Sequence, residues 1–291
     1  MQSPEMSVPL LEFHQVGFRY PNTTTPVLQD CSFTLEAGQK VALLGLNGSG
    51  KSTLFYLAAA LYRRDRGEIY WQGQRLVHQP ERLRQWRQRI GLAFQDPEQQ
   101  LVAATVAEDI SYGLYNLDLP TAEIEARLYQ TLQDFDLVEL ADRPLHHLSL
   151  GQKRRVALAG VMALAPTLLL LDEPTTYLDS QQRQQLGRVL EKIHQQGTTI
   201  VIATHDLDFA YGWADWIMIL ANGHVVVSDR ASHVFGQWPT LAAELGTPTL
   251  LALWQQFPAS WRQHRPFPRT VADCSQELIA LFQSLLQNGP P

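Results

Sequence analysis

The sequence has 291 residues, of which 45% are hydrophobic and 18% charged, a composition typical of a globular protein with a substantial core. The formal net charge of -6 argues against a surface that binds nucleic acid irrespective of its sequence. Cys31 and Cys274 lie far apart and outside any C-x-x-C spacing, which argues against a disulfide framework or a zinc site. We therefore expect one composite domain with an appendix, a reducing compartment and no nucleic-acid partner.

Targeting and membrane signals are absent from the patterns along the chain. The first ten residues, MQSPEMSVPL, lack the cationic and apolar pattern of a secretory signal. The longest apolar run, residues 156–171, is interrupted by Pro166 and ends at Asp172. We interpret this run as a buried helix followed by a strand, so we expect no segment to cross a membrane by itself. Contact with a membrane would then require a partner protein.

Strand-like and helix-like segments follow one another along the chain. Residues 10–35 alternate in apolar character around the turn-like PNTTTP, which predicts strands joined by a hairpin-like loop. The apolar run VALLGL at 41–46 precedes a glycine-rich turn and a helix-compatible segment, and residues 67–76 return to strand character. Residues of about 97–165 show helical spacing, with Pro120 just before a threonine that can cap a helix.

Two later apolar runs, TLLLLDEP and TTIVIATHD, are typical of strands buried on both faces of a parallel sheet. The amphipathic segment between them ends at Gly197 and predicts the crossover helix. The predicted fold class is α/β, with a mostly parallel core sheet, an N-terminal antiparallel β subdomain and a helical subdomain inserted at about 97–165. We expect this domain to span residues 8–237.

Residues 238–291 are predicted to form a C-terminal extension that is only partly helical. Tryptophan and proline become frequent there, and Pro258, Pro266 and Pro268 interrupt any long helix. The stretch DCSQELIALFQSLLQ predicts a helix with one apolar face, which we expect to dock on an apolar surface. The residues of that face are Cys274, Leu278, Leu281, Phe282 and Leu285.

Residues 45–53, GLNGSGKST, match G-x-x-x-x-G-K-[ST] between a predicted strand and a predicted helix, which is the context that a phosphate-binding loop requires. Gly48 and Gly50 let backbone N–H groups approach phosphate oxygens, and Lys51 reaches the β and γ phosphates. Ser52 supplies a hydroxyl to Mg²⁺. The alternative, a chance glycine-rich turn before a helix, is a poor one in this context.

Three polar residues end the two later strands. We expect the strand that ends at Asp172 to lie next to the strand of the phosphate loop, so that Asp172 holds Mg²⁺ and Glu173 polarises the attacking water. Without a phosphate loop, an Asp-Glu pair at a strand end is usually a solvated turn. His205 ends the other strand and is predicted to sense the γ phosphate, with a purely structural histidine as the alternative.

Taken together, these motifs resemble the ATP-binding subunit of an ABC transporter, over roughly residues 10–235. FRYP with Tyr20 looks like the aromatic that stacks on adenine, and AFQDPEQQ with Gln95 resembles the Q-loop. LSLGQKRR is similar to the family signature, LLLLDE to the second nucleotide motif, TTYLD with Asp179 to the D-loop, and THD to the switch histidine. The resemblance implies a P-loop NTPase that hydrolyses ATP with Mg²⁺.

The resemblance also implies a set of site residues. The implied catalytic residues are Glu173 and His205, and the implied Mg²⁺ ligands are Ser52, Gln95 and Asp172. The implied ATP contacts are Tyr20, Gly45, Asn47, Gly48, Ser49, Gly50, Lys51, Ser52, Thr53, Gln95, Ser149, Gly151, Gln152 and Asp179. Two alternatives stay open, because an early aromatic such as Tyr20 is usually a core residue and Gln95 could be a solvated loop residue.

The signature segment has two compatible interpretations. In the family it begins a helix and addresses the ATP held by the opposite subunit of a head-to-tail dimer, with the Ser149 hydroxyl and the Gly151 backbone as contacts. Ser149 would also serve as an ordinary helix cap. The family usually has glycine where Leu150 stands, and leucine resists a positive φ, so we expect a weakened composite site with ATP binding retained.

Within the family, QDPEQQL, THDLDFA and LGTPTLLALW look most like the ATPases of energy-coupling factor importers, which take up cobalt, nickel or vitamins. This resemblance implies a homodimer, or a heterodimer with a related ATPase, at the cytoplasmic face of the cell membrane. The implied partners are a transmembrane coupling protein and a substrate-binding membrane protein. Another transporter class, a soluble ABC ATPase and a P-loop kinase or GTPase are the alternatives.

Overall fold

The computed structural model describes residues 8–238, 245–262, 265 and 267–288, with side chains as far as residue 283. The strands are β1 Leu11–Phe18, β2 Leu28–Leu35, β3 Lys40–Leu44, β4 Arg66–Trp71, β5 Gln74–Arg75, β6 Ile90–Ala93, β7 Leu168–Asp172, β8 Thr199–Ala203, β9 Trp216–Ala221 and β10 His224–Arg230. The helices are α1 Lys51–Ala58, α2 Pro80–Arg89, α3 Val106–Tyr112, α4 Thr121–Asp134, α5 Leu150–Ala163, α6 Ser180–Gln195, α7 Leu207–Trp213, α8 Ala231–Gly236, α9 Thr249–Gln255, α10 Ala259–Arg262 and α11 Val271–Asn288.

The smaller sheet is antiparallel and has the strand order β2-β1-β4-β5. Phe13 of β1 and Phe33 of β2 pair across the strands and stack with their ring centroids 4.5 Å apart. Such cross-strand aromatic pairs fix the register of an antiparallel sheet. This sheet is the N-terminal antiparallel layer that the alternating sequence predicted.

The larger sheet has the order β10-β9-β3-β8-β7-β6, and all its neighbouring strands are parallel except β9 and β10. Alternate residues of β3 enter different apolar clusters, Val41 and Leu43 on one face and Ala42 and Leu44 on the other. Burial on both faces explains why these strands are uninterrupted apolar runs. The predicted α/β class with a mostly parallel core sheet is confirmed.

One predicted neighbour relation is wrong. We expected the strand of Asp172 to lie directly beside the strand of the phosphate loop, whereas β8 lies between β3 and β7. The order of strands in such a sheet is set by how the crossover helices pack, which local sequence does not encode. The consequence is that His205 follows the strand that lies between those of the phosphate loop and of Asp172.

Helices α3, α4 and α5 occupy the chain between β6 and β7, where the sequence predicted a helical insert. Two of them begin with reciprocal capping boxes, Thr105 with Glu108 and Ser149 with Gln152. Among the described residues, no helix is both long and apolar enough to span a membrane. The boundaries proposed for the two domains remain a prediction.

The chain after β10 packs against the core through aromatic and arginine contacts. Trp238 and Trp254 are 0% and 1% exposed, and the indole N–H of Trp238 donates to the carbonyl of Gly246 at 2.7 Å. Arg269 contacts Asp215 at 2.9 Å and donates to the carbonyls of Tyr211 and Ala214. The described part of the extension is therefore anchored around α7.

The predicted apolar face of α11 is only partly buried. Cys274 is 4% exposed and Leu278 and Leu281 are half-buried, but Phe282 is 63% exposed, so the prediction that all five residues dock is wrong for Phe282. The side chain of Leu285 lies outside the described residues, as does Pro266. The predicted apolar face is thus buried most deeply near the start of the helix, at Cys274.

Candidate nucleotide-binding site

The loop between β3 and α1 has a backbone that demands glycine. Gly48 and Gly50 have φ angles of 79° and 106°, in the left-handed region that glycine tolerates best. A Cβ on Gly45 would lie 2.4 Å from the carbonyl oxygen of Leu220, so a larger residue there would displace the backbone of β9. Asn47 and Gly48 are exposed at the tip of the loop. The loop thus presents its backbone at the N-terminus of α1, where anions bind.

Lys51 opens α1 and is almost completely buried, with 6% of its surface exposed. Its ammonium group donates to the carbonyl of Gly45 at 2.8 Å and of Leu46 at 3.3 Å. The hydroxyl oxygen of Ser49 in the same loop is buried and has no hydrogen-bond partner among the described residues. Buried polar groups are normally paired, so a loop that holds a cation and an unpaired hydroxyl fits a polyphosphate ligand such as that of ATP.

Asp172 and Glu173 lie at the end of β7 and are 5% and 7% exposed. Burial raises the pKa of the Asp172 carboxyl, and a hydrogen bond with Ser52 opposes this shift. A hydroxyl and a carboxylate are the hard oxygen donors that Mg²⁺ prefers, and Mg²⁺ usually takes only one or two protein ligands beside phosphate oxygens and water. The pair Ser52 and Asp172 therefore fits Mg²⁺ bound together with a nucleotide.

Glu173 connects the phosphate loop with the end of β8. Its Oε1 atom lies 3.8 Å from Nζ of Lys51, and its Oε2 atom lies 2.8 Å from Nδ1 of His205. The φ of Glu173 is 47°, a left-handed conformation that costs free energy in a non-glycine residue and occurs often at functional sites. Among the described residues, Oε1 has no hydrogen-bond partner, since 3.8 Å is too long for one. One oxygen of this carboxylate is thus fixed and the other is free to accept a proton.

His205 follows β8 and its side chain is 60% exposed, although its ring contacts a buried carboxylate. Asp206, the next residue, caps α7 through the backbone N–H of Phe209 and contacts Arg183 of α6 at 3.1 Å. The helix and the ion pair hold the turn that carries His205. The imidazole is therefore held at its Nδ1 side and open to solvent at its other side.

Tyr20 lies beside the phosphate loop, not inside the core of the small sheet. Its hydroxyl lies 3.0 Å from Oγ1 of Thr53, and its ring meets Phe18 and Tyr62 edge to face, with centroids 5.1 and 5.8 Å apart. The side chain is half-buried. This placement brings Tyr20 to the start of α1, and its stacking on adenine stays a prediction.

The signature residues form a self-contained helix start. The Ser149 hydroxyl accepts from the backbone N–H of Gln152 at 3.3 Å, and Oε1 of Gln152 accepts from the backbone N–H of Ser149 at 2.9 Å. Ser149 is exposed and Gly151 is half-buried. The helix-cap interpretation of Ser149 is confirmed, and the contact with a second nucleotide stays a prediction.

Leu150 does not have the conformation that we expected to be strained. It is the first residue of α5, and it is not among the residues with a positive φ. The expectation of a backbone penalty from φ is therefore wrong, because the first turn of a helix accepts leucine without strain. What leucine adds is an apolar side chain that is 43% exposed beside Ser149.

The signature helix and the core enclose a cavity of about 320 Å³. Gln95, Ser149, Gly151, Gln152 and Asp172 all contribute to its wall. Gln95 itself is exposed, just after β6 at the edge of the sheet. The structure thus brings the Q-loop and the signature to a cavity that Asp172 also lines, whereas Glu173 and the phosphate loop do not line it.

The loop that precedes Asp179 contacts the signature helix through Arg154, a residue that the sequence did not single out. Asp179 caps α6 in a capping box with Gln182. Arg154 of α5 donates to the carbonyl of Pro174 at 3.5 Å and, through a shorter contact, to that of Thr176. Burial lowers the pKa of Arg154, with the charge of Asp96 opposing. The sequence offered only a run of three basic residues, which did not indicate which one turns inward.

The loop between Glu173 and Asp179 also projects Tyr177 into solvent. Tyr177 is 83% exposed and has a φ of 61°, which is rare for an aromatic residue. Arg154 fixes the carbonyls on the N-terminal side of Tyr177, so the loop has a defined path without burying its largest side chain. An exposed aromatic in a constrained loop is typical of a surface that another subunit covers.

Comparison with known proteins agrees with this geometry. The ABC transporter family model matches residues 28–176, about half of the chain. An ABC transporter ATP-binding protein of Thermosynechococcus vestitus is 86% identical over 96% of this chain and 99% of its own length. An energy-coupling factor transporter ATP-binding protein, EcfA, of Carboxydothermus hydrogenoformans is 38% identical over 85% of this chain and 90% of its own length.

Among solved structures, CbiO1 of Clostridium perfringens, part of the ABC transporter complex CbiONQ, superposes with a TM-score of 0.73 and 32% identity, covering 85% of this chain and 99% of that one. A dimeric ATP-binding cassette in a post-hydrolysis state, bound to ADP and phosphate, superposes with a TM-score of 0.69 and 26% identity, covering 76% and 98%. The extent of these matches and the assembled phosphate loop lead to one conclusion: the chain belongs to the ABC transporter family, as an ATP-binding protein with the fold of its ATPases.

Proposed function

We propose that this chain is the ATP-hydrolysing subunit of an energy-coupling factor type importer and works as a dimer. One observation carries the proposal. The carboxylate of Glu173 is held between Lys51 of the phosphate loop and His205, at the edge of the sheet where the loop presents its backbone. Hydrolysis requires a proton acceptor close to the γ phosphate, and this is the buried carboxylate nearest the loop lysine.

Different residues of the chain would bind the nucleotide and catalyse its hydrolysis. Lys51 and the loop backbone bind and orient the phosphates, and Tyr20 supports the base. His205 holds Oε2 of Glu173, which leaves Oε1 to take a proton from the attacking water. Ser52 and Asp172 would hold Mg²⁺, with Gln95 as a further ligand, and Mg²⁺ when bound neutralises charge on the phosphates.

The second half of each site comes from a partner subunit in this proposal. Ser149 and Asp179 are exposed at helix starts, and Gly151 is half-buried in the first turn after Ser149. Among the described residues, Ser149 bonds only to its own helix. A helix N-terminus favours an anion, so a second copy that presents Ser149 and Gly151 to the γ phosphate would be held in place by ATP. The structural relative that is dimeric and bound to ADP and phosphate supports this arrangement. ATP binding then favours the closed dimer by differential affinity, and hydrolysis releases it.

The importer class rests on the relatives. Several of them are energy-coupling factor ATP-binding proteins, and CbiO1 is part of a complex with further subunits. We therefore propose a transmembrane coupling protein and a substrate-binding membrane protein as partners, with the chain attached peripherally at the cytoplasmic face. The transported solute would be a metal ion such as cobalt, or a vitamin.

The test is to purify the full-length chain with an affinity tag from a detergent extract of cells that express it, and to identify its partners by mass spectrometry. We expect two different integral membrane proteins, and stimulation of ATP hydrolysis when the complex is reconstituted in vesicles. A Lys51→Ala chain is the control for nucleotide-dependent assembly.

Other outcomes would assign other functions. A periplasmic solute-binding protein requirement would indicate a different importer class, and drug or lipid efflux would indicate an exporter. Recovery of the chain free of any integral membrane protein would contradict the transport proposal and favour a soluble ATPase.

A further inference from the structure

Positive charge is concentrated in one short part of this acidic chain. Residues 61–90 contain eight arginines against three acidic residues, a net charge of +5, whereas the whole chain has a net charge of -6. The rest of the sequence is therefore strongly acidic. None of the nucleotide-site residues lies in this segment, so the proposed ATPase chemistry does not explain it.

The fold gathers six of these eight arginines on one surface, beside β4, β5 and α2. Two adjoining depressions share Arg75 and Val77 as lining residues. Arg63 lines the first depression, and Arg82 and Arg89 line the second. We call this surface the arginine face. Its members are Arg63, Arg64, Arg66, Arg75, Val77, Arg82 and Arg89.

Part of the charge on the arginine face is compensated within the chain. Arg64 and Arg75 both contact Glu68, and Arg66 contacts Asp30 at 3.2 Å.

The rest of the charge is not compensated. Within residues 8–238, 245–262, 265 and 267–288, no ion pair forms with Arg63, Arg82 or Arg89. Arg63 and Arg82 are exposed and Arg89 is half-buried. Burial, and then the charges of Arg64, Arg63 and Arg87, lower the pKa of His78, which lines the first depression. Three uncompensated cations on one face make a site for an anionic partner.

An exposed apolar side chain lies among these arginines, since Val77 is 42% exposed and lines both depressions. Leu61, two residues before Arg63 in the chain, is 46% exposed. Guanidinium groups interleaved with aliphatic side chains suit the headgroup and upper acyl region of a membrane, where charge and apolar surface are both accommodated. Nucleic acid would leave Leu61 and Val77 without a role, and the acidic remainder of the chain would repel it.

We propose that the arginine face docks directly on an anionic membrane surface, where Arg63, Arg82 and Arg89 meet lipid headgroup phosphates and Leu61 and Val77 enter the interface. This inference rests on the proposed function, because a transporter subunit works beside a membrane. It goes beyond the sequence analysis, which expected membrane contact only through a partner protein. The membrane contact would orient the ATPase toward its membrane subunits before they associate.

The experiment is flotation of the purified full chain with vesicles of phosphatidylcholine alone, or of phosphatidylcholine mixed with phosphatidylglycerol. We expect flotation only with the mixed vesicles, and its loss as salt concentration rises, because exposed charges are screened. Each arginine near an anionic surface contributes roughly a fivefold factor to partitioning, so Arg63→Gln/Arg82→Gln/Arg89→Gln should weaken it roughly 100-fold.

The matched control is Arg143→Gln/Arg188→Gln/Arg230→Gln, which removes the same charge at exposed positions elsewhere and should float like the unmodified chain. The single variant Arg82→Gln, on the exposed side of α2, keeps the test decisive should the triple variant fold poorly, with an expected loss of roughly fivefold. Equal flotation with both vesicle types, equal losses in both triple variants, or stronger binding to RNA than to mixed vesicles would overturn the inference.

The outcome is separable from that of the proposed function, since flotation requires neither hydrolysis nor membrane proteins. A chain that copurifies with membrane subunits but does not float contradicts only this inference. A chain that floats but copurifies with no membrane protein contradicts only the transport proposal.

Discussion

The phosphate-loop half of the candidate site and its signature half differ in how far contacts within one chain already fix their side chains. In the first half, Lys51, Asp172 and Glu173 are at most 7% exposed. Glu173 lies 2.8 Å from His205 and 3.8 Å from Lys51, and Asp172 forms a hydrogen bond with Ser52. In the second, Ser149 is exposed and bonded only to its own helix. A buried charge without a partner costs much free energy, so the folded chain holds such charges in defined positions. An exposed capping hydroxyl can instead give up its bond within the helix for a bond to a ligand at little cost. One chain should thus bind ATP alone and need a second chain for hydrolysis.

The largest effect should come from Glu173→Gln, which removes the proton acceptor of the preformed half. The amide can keep the contact with His205, so we expect ATP affinity within a few-fold of the unmodified value and a kcat lower by about 10² to 10⁴. Single-turnover hydrolysis measures the chemical step, and light scattering with ATP should show a stable dimer that the unmodified chain forms only transiently. Hydrolysis at the unmodified rate would remove Glu173 from the role of base.

Lys51→Ala should have the next largest effect, on binding. A charge-assisted contact with phosphate contributes about 1.5–3 kcal/mol, so ATP affinity by calorimetry should fall by roughly 10- to 150-fold. The variant also leaves Glu173 buried without its cationic neighbour, which should lower the free energy of unfolding.

The double variant Lys51→Ala/Glu173→Gln separates these two effects. It should recover most of the lost stability, because the carboxylate that lost its cationic neighbour is replaced by a neutral amide, and it should not recover ATP affinity. Unchanged affinity in Lys51→Ala would contradict the assignment of the phosphate loop.

Arg154 links the two halves, and Arg154→Met should have an intermediate effect. Methionine keeps much of the apolar stem but cannot donate to the carbonyls of Pro174 and Thr176. The loop after Glu173 should become less ordered, and we expect kcat to fall about 10-fold with little change in KM, since one to two hydrogen bonds to a charged group are lost. Arg188→Met on the exposed side of α6 is the control and should leave kcat unchanged. A change in KM alone would contradict this positioning role.

Ser149→Ala tests the exposed half. Loss of the cap should destabilise α5 by about 1 kcal/mol. If the hydroxyl also contacts nucleotide on a second chain, ATP-driven dimerisation should weaken roughly 10-fold while the ATP affinity of the single chain stays constant. Thr105→Ala removes an equivalent capping box from α3 and should cost similar stability without affecting the dimer. Equal effects of both variants on dimerisation would limit Ser149 to its structural role.

The same contrast explains what the sequence could predict. The phosphate loop was predictable because its glycines and Lys51 act through a contiguous backbone, and the α/β class was predictable because doubly buried strands are apolar throughout. The position of β8 between β3 and β7 was not, because crossover packing is a property of the whole sheet. The inward turn of Arg154 was not either, since it depends on carbonyls about twenty residues away.

Leu150→Gly should have the smallest effect. It tests whether the backbone or the side chain at this position limits the signature half of the site. Since Leu150 already has an ordinary helical backbone, glycine relieves no strain there and costs at most about 1 kcal/mol in the first turn of α5. We expect ATP-driven dimerisation within about twofold of the unmodified chain, a change of about 0.4 kcal/mol, because most interface contacts outside the few dominant ones are almost neutral in free energy. Leu150→Ala is the control for loss of the side chain without added flexibility. Dimerisation that is strengthened tenfold by glycine but unchanged by alanine would show that the backbone at this position, and not its side chain, limits the signature half.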